Sequence, residues 1–311
     1  LSDGGTYTGV ADLVTKYGLV PKDVMAETLV SNSTNEFCGH LKRKLREFGI
    51  QLREKSQAGA DEKVLQAMKV GQLKTVYRLL VLAYGEPPKK FTWAPMKNGK
   101  TIGEPKTYTP QEFYREVCAE GEDLNADFVM LMNDPSRPYD QVYEIDYDRH
   151  VYDGHNWLYV NLDIEELKPL AIASLKDSTQ MYFSCDVGKF MDRNTGMLDL
   201  KNFDYESLLG TSFGMTKKQR IQTFDSGSSH AMTLMAVDLD KNGKPVKWKV
   251  ENSWGASSGH NGYMIMTDEW FNEYMFRVVV NKKYIPAETL KLLEQKPVML
   301  PSWDPMFAPE M

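Results

Sequence analysis

The feature that most constrains this chain is a pair of alternating runs, residues 230–239 and 245–252, on either side of the dipeptide Asn242-Gly243. Apolar and polar residues that alternate fit strands with one buried face. Asn-Gly takes a tight turn at little steric cost, so the two runs are expected to pair as an antiparallel hairpin. Side chains on a strand alternate between faces. Asn252 therefore shares a face with Trp248 and Val250, while Lys247, Lys249 and Glu251 take the wet face. By the same count His230 lies with Met232, Leu234 and Ala236. Pairing brings His230 and Asn252 to one open end of the hairpin, with a register slack of about three residues.

Two polar side chains on an apolar face need partners, because an unpaired imidazole or amide there is costly. Each satisfies the other if the asparagine oxygen accepts the proton of one ring nitrogen. That bond fixes the tautomer and leaves the second nitrogen free to exchange a proton. The result is the base and orienter half of a nucleophilic triad, with Trp254 two residues on as a roof. A strand histidine satisfied for structural reasons alone gives the same pattern, so spacing by itself leaves both readings open.

Elsewhere the pattern is helical first and strand-like later. Val10, Leu13, Val14 and Tyr17 share one face of a helix over residues 7–17, stopped by Gly18 with Pro21 beyond. The polar cluster at residues 31–35 marks a boundary. Phe37, Leu41, Leu45, Phe48 and Leu52 then predict an amphipathic helix, and residues 61–83 a second one that ends before Gly85 and Pro87-Pro88. Residues 91–107 read as a hairpin centred on Asn98-Gly99, and Thr109 as the cap of a short helix beginning at Pro110. From there to Asn161 the chain reads as irregular. A helix is expected at residues 164–175 and strands at 180–185, 231–239, 245–251, 262–267 and 276–280. Residues 297–311 carry four prolines and suit an extended arm that is ordered only where it docks. Helices first and an antiparallel sheet after them indicate an α+β fold with segregated lobes.

Composition narrows the class. A chain of 311 residues, 42% hydrophobic, can bury a full core or two adjoining lobes. The 22 Gly and 15 Pro are spread out, which excludes collagenous and low-complexity readings. No apolar run approaches the ~18 residues of a membrane span, so a soluble protein is expected. A net charge of −6 without a dense Lys/Arg block argues against a nucleic-acid or anionic-membrane partner. The three cysteines, Cys38, Cys118 and Cys185, lack CxxC spacing. They fit a reducing, cytoplasmic setting and offer neither a disulfide framework nor a zinc site.

Ser229-His230-Ala231, then Glu251-Asn252-Ser253-Trp254-Gly255 and Gly262-Tyr263, resemble the histidine and asparagine motifs of papain-like cysteine peptidases. Residues 20–27, 185–189 (C-D-V-G-K), 246–255 and 300–306 (L-P-S-W-D-P-M) resemble the bleomycin hydrolase and aminopeptidase C branch of that family. The resemblance spans nearly the whole chain. It implies a two-lobe papain-like fold with a helical lobe, an antiparallel β-rich lobe and a large, mainly helical insertion. Residues 1–32 would be the remainder of the helical lobe and 33–160 the insertion that builds a homohexamer. Residues 161–290 would form the β-rich lobe and 291–311 the C-terminal arm.

The resemblance also implies roles. His230 matches the general base, Asn252 the residue that orients it, and Trp254 the ring that shields the pair. Asp3, Gly4 and Gly5 match a segment whose backbone binds extended substrate. The carboxylate of Met311, at the end of the arm, would meet the α-ammonium of a peptide and restrict cleavage to its first residue. The implied activity is that of a cysteine-type aminopeptidase on peptide substrates, with no metal or organic cofactor. In the family the nucleophilic cysteine precedes the glycine segment, so it is expected upstream of residue 1. Cys38 and Cys118 fall in amphipathic helical runs, where a buried or half-buried inert thiol is expected, and Cys185 matches a non-catalytic position at a strand end. Two alternatives stay beside this reading: a catalytically inactive hexameric peptide-binding scaffold, and an endopeptidase of the same fold.

Overall fold

A computed structural model describes residues 5–119, 121–304 and 306. The chain packs as two compact units, one built around Leu13–Glu122 and the other around Thr6–Asp12 and Asp123–Met311.

The first unit is mainly helical. Helix α1, Tyr7–Tyr17, contributes its residues from Leu13 onward to this unit and ends at Gly18, which adopts φ +80°; a Cβ there would lie 2.2 Å from the Pro110 carbonyl carbon, so only glycine fits. Helices α2 (Asn35–Gln57) and α3 (Glu62–Tyr84) fall where the spacing predicts them. The Asp61 carboxylate caps α3 by accepting the Val64 N–H at 2.9 Å. Strands β1 (Phe91–Trp93) and β2 (Lys106–Tyr108) pair antiparallel, and the connecting turn places Asn98 and Gly99 at φ 51° and 73°. Thr109 and Glu112 form a capping box around Pro110. Phe113 packs edge-on against Phe91, Trp93 and Tyr108, and these rings form the unit's aromatic core. Helices α2 and α3 bury little: α2 has no fully buried residue and α3 only Ala83.

The second unit is organised on one eleven-stranded sheet among the described residues. Its strands are β3 (Phe128–Met132), β4 (Gln141–Ile145), β5 (Trp157–Asn161), β6 (Met181–Cys185), β7 (Met191–Asp192), β8 (Met197–Leu198), β9 (His230–Leu239), β10 (Pro245–Glu251), β11 (Tyr263–Thr267), β12 (Met275–Asn281) and β13 (Val298–Leu300). They run in the order β13-β4-β5-β3-β12-β6-β9-β10-β11-β8-β7. The sheet is mixed rather than purely antiparallel, since β3–β5, β4–β13 and β8–β11 pair in parallel. Alternate residues enter two cores. Val129, Leu131, Met275, Val278 and Val280 join one cluster, whereas Met130, Met132, Phe276 and Val279 join the other. A strand buried on both faces is apolar along most of its length, as β12 is apart from Arg277 and Asn281. Helices α4 (Ile164–Lys176), α5 (Lys217–Gln222) and α6 (Asp268–Tyr274) also belong to this unit.

Two expectations change. The stretch up to Asn161 is not irregular, because β3, β4 and β5 occupy it. The chain also does not divide at residue 160: β3 pairs along its length with β12, so the residues from Asp123 onward pack with the β-rich half. Pairing between segments about 150 residues apart, not the local sequence, sets that boundary.

Candidate active site

The hairpin β9–β10 forms as expected, with two refinements. Of the Asn242-Gly243 pair only Gly243 has positive φ, and the turn is held by Asp240, whose carboxylate accepts the N–H groups of Asn242 and Lys244 at 2.8 Å each. A bulge between Leu234 and Ala236 then shifts the register by one residue, so that Thr233 faces Glu251. The bulge also ends the simple alternation. Met232 and Leu234 are buried as predicted, but Ala236 is exposed and Val237 packs on the core instead.

This register carries His230 to Asn252. The His230 Nε2 lies 2.8 Å from the Asn252 Oδ1. The same Oδ1 accepts the Ser253 N–H at 2.8 Å, which identifies that atom as the oxygen. Nε2 therefore donates, and in the neutral ring Nδ1 is the lone-pair nitrogen left to take a proton. Asn252 is 8% exposed and is anchored by its own backbone N–H on the Gly262 carbonyl at 2.9 Å. Its backbone is thus tied to the β11 side as well as, through β10, to the strand that carries His230. The Trp254 ring tilts 35° over the imidazole at 4.9 Å between centroids. It is 40% exposed, so it shields the pair on one side while remaining open to solvent on its outer face. Arg193 rests on that ring at 5.9 Å, a cation–π contact that the sequence did not suggest.

Two of the three thiols, Cys185 and Cys118, are held above the ordinary range. Cys185 faces His230 across the β6–β9 ladder but is fully buried, and burial together with the Asp186 charge pushes its thiol well above the ordinary range. A protonated, enclosed thiol is a poor nucleophile. Cys38 and Cys118 belong to the first unit. Cys118 is exposed rather than half-buried as expected, and partial burial raises its pKa as well.

The connection from α5 to His230 is stitched to the turn after β6. Lys189 pairs with Asp225 at 3.5 Å, Asp186 accepts the Ser226 hydroxyl at 2.8 Å, and the hydroxyls of Ser184 and Ser228 meet. The Ser229 N–H donates to the Cys185 carbonyl at 3.1 Å. At the start of α5, Lys217 is buried and donates to Asn133 Oδ1 (2.7 Å) and to the carbonyls of Asn272 (3.0 Å) and Met275 (2.6 Å). Those three acceptors use the whole donor set of an ammonium, while desolvation lowers the Lys217 pKa to about 7. The C-D-V-G-K run was legible as a motif, but its role as the partner of residues 225–229 needed the fold.

The arm is docked as far as it is described. The Asp304 carboxylate receives Arg137 at 2.9 and 3.0 Å, and Arg137 also pairs with Asp134 at 2.7 Å. Arg277 donates to the Met306 carbonyl at 2.8 Å, and the Met306 side chain is buried in the second core. Of the expected substrate-binding residues, Gly5 is exposed, and Asp3, Gly4 and Met311 lie outside the described residues.

The geometry agrees with what the chain is similar to. The model of the Peptidase C1-like family matches residues 1–307. Bleomycin hydrolase of Homo sapiens is 38% identical over 313 residues, covering 99% of this chain and 68% of that protein. Aminopeptidase W of Lactobacillus delbrueckii subsp. lactis is 38% identical over 303 residues, covering 97% and 68%. The crystal structure of PepW from Lactobacillus rhamnosis superposes with a TM-score of 0.92 at 38% identity, covering 99% of this chain and 69% of that one. The chain belongs to the Peptidase C1-like family and has its papain-like fold.

Proposed function

We propose that this protein is a cysteine-type aminopeptidase in which His230 is the base and Asn252 its orienter. The observation that carries the reading is the Nε2–Oδ1 bond, which holds the ring and leaves Nδ1 for proton transfer. Relatives of similar sequence are named aminopeptidases and bleomycin hydrolases. In this proposal the attacking sulfur lies upstream of residue 1, because Cys185 is sealed in the core and the Cys118 thiol is raised above its ordinary range. A thiolate adds to the carbonyl carbon of the first peptide bond; Nδ1, protonated, gives its proton to the leaving amine as the C–N bond breaks. Water then attacks the thioester, passes a proton to Nδ1 and releases the N-terminal residue with the thiolate restored. Asn252 keeps the imidazole aimed through both steps.

Three further parts belong to this proposal. The docked arm supports a tail that carries its terminal carboxylate toward the α-ammonium of a substrate, a charge-assisted contact that would select peptide N-termini. The exposed Ile50, Val64, Val70, Leu73, Tyr77 and Leu82 on α2 and α3 support assembly into a homohexamer through this region. No helix among the described residues is long and apolar enough to cross a membrane, and three free cysteines suit a cytoplasmic setting. The test is release of the first residue from a panel of peptides by the full-length protein. Stepwise N-terminal trimming is expected, and cleavage at internal bonds alone would overturn the reading.

A further inference from the structure

The turn that follows β6 holds the segment leading into His230 through contacts that no catalytic step uses. Within residues 184–189, four positions reach residues 225–229: Ser184 to Ser228, Cys185 O to Ser229 N–H, Asp186 to Ser226, and Lys189 to Asp225. Asp186 is central among them. It is 7% exposed, its Oδ2 accepts the Ser226 hydroxyl at 2.8 Å, and its Oδ1 lies 3.4 Å from the Ser229 hydroxyl, one residue before the base. Its own N–H donates to the Tyr274 carbonyl at 3.0 Å, so the backbone of Asp186 is tied to the residue that precedes β12. Ser226 is itself buried. Burying a carboxylate is costly unless its oxygens are used, so it fixes one arrangement of the two hydroxyls it faces more sharply than a neutral side chain would.

We propose that Asp186 is a positioning residue for His230, setting where β9 begins and hence where Nδ1 points. The proposal rests on His230 being the base. Asn252 controls the ring's rotation from one side of the sheet, and Asp186 controls the backbone that carries the ring from the other. The two constraints come from opposite neighbours of β9, Asn252 from the β10 side and Asp186 from the β6 side. A base displaced by about 1 Å loses rate on the order of 10²-fold while substrate binding is left alone.

The test compares D186A and the double variant S226A/S229A with the wild-type full-length protein. Turnover is read on an aminoacyl chromogenic substrate, and the His230 ring on the ¹⁵N-labelled protein by NMR. D186A is expected to lower kcat by about 10- to 100-fold with KM within about twofold, and to shift or broaden the Nε2–H signal of His230. The serine double variant, which keeps the carboxylate and removes two hydroxyls that it faces, is expected to lower kcat in the same sense. It decides the matter if D186A does not fold. Values of kcat within twofold of wild type in both variants, or a fall in which KM alone changes, would overturn the role. An inactive wild-type protein would defeat the aminopeptidase reading instead. In that event the ring signal still decides: unchanged in both variants, it rejects the role of Asp186.

Discussion

Two histidines of the second unit are each held by a side-chain oxygen, and the difference between them separates the pair proposed to move a proton from one that only ties a loop. His155 Nδ1 lies 2.6 Å from Asp12 Oδ1, and the other Asp12 oxygen accepts the His155 backbone N–H at 2.7 Å. One carboxylate thus grips the backbone and ring of a single residue, and a Cβ on the neighbouring Gly154 would collide with it at 2.4 Å. The imidazole beyond is 67% exposed and has no aromatic cover among the described residues. In His230 the division of labour is different. The backbone is held by the β6–β9 ladder and the 184–189 turn, the ring by Asn252 from another strand, and one face by Trp254. An orienter carried on a different strand from the residue it orients can hold a side chain in place while a proton comes and goes. An orienter that clamps backbone and ring together closes a loop.

The comparison can be broken by experiment. The largest effect expected is on H230A, which should lower kcat/KM by about 10³-fold or more while leaving the melting temperature within a few degrees of wild type. Activity near wild type would move His230 into the structural class with His155.

Next is K217M, at the root of the helix that precedes His230. It leaves Asn133 Oδ1 and two carbonyls without their donor, and should cost about 2–4 kcal/mol in denaturant unfolding. The pH dependence has a definite sign. Lys217 has a folded pKa lowered to about 7 from its ordinary 10.5, so between those values the unfolded chain binds more protons than the folded one. The lysine's contribution to stability therefore rises with pH across that window and is least favourable below about 7. The gap between wild type and K217M should widen from pH 7 to 9; a gap that narrows would contradict the assignment.

N252A should reduce kcat by about 10- to 100-fold with little change in KM, since it frees the ring without removing the base. Smallest is H155A, which should leave turnover within twofold and lower stability by about 1 kcal/mol, because it removes the ring that bonds to Asp12 and keeps the backbone N–H. A large fall in the turnover of H155A would erase the distinction drawn above.

Much of the proposed catalytic pair was legible because it depends on short-range rules. The Asn-Gly turn, the parity of Trp248, Val250 and Asn252, and the cap at Thr109 are fixed by residues a few positions apart. The bulge at Met235 was not legible, and it moved Ala236 out of the core. Nor were β3, β4 and β5. Each is only five residues long, and β3 finds its antiparallel partner in β12, with Phe128 opposite Asn281. Nothing near Phe128 in the chain announces that partner.

The sequence by itself therefore determined the helices of the first unit, the β9–β10 hairpin and the presence of a histidine and an asparagine at its open end, because sterics and periodicity act within a few residues. Only the tertiary structure decided that β3–β5 join the main sheet, that Asp186 and Ser226 brace the approach to His230, and that Cys185 is enclosed and inert. Those outcomes depend on which distant surfaces exclude water together, and burial of that kind is a property of the assembled sheet rather than of any local run of residues.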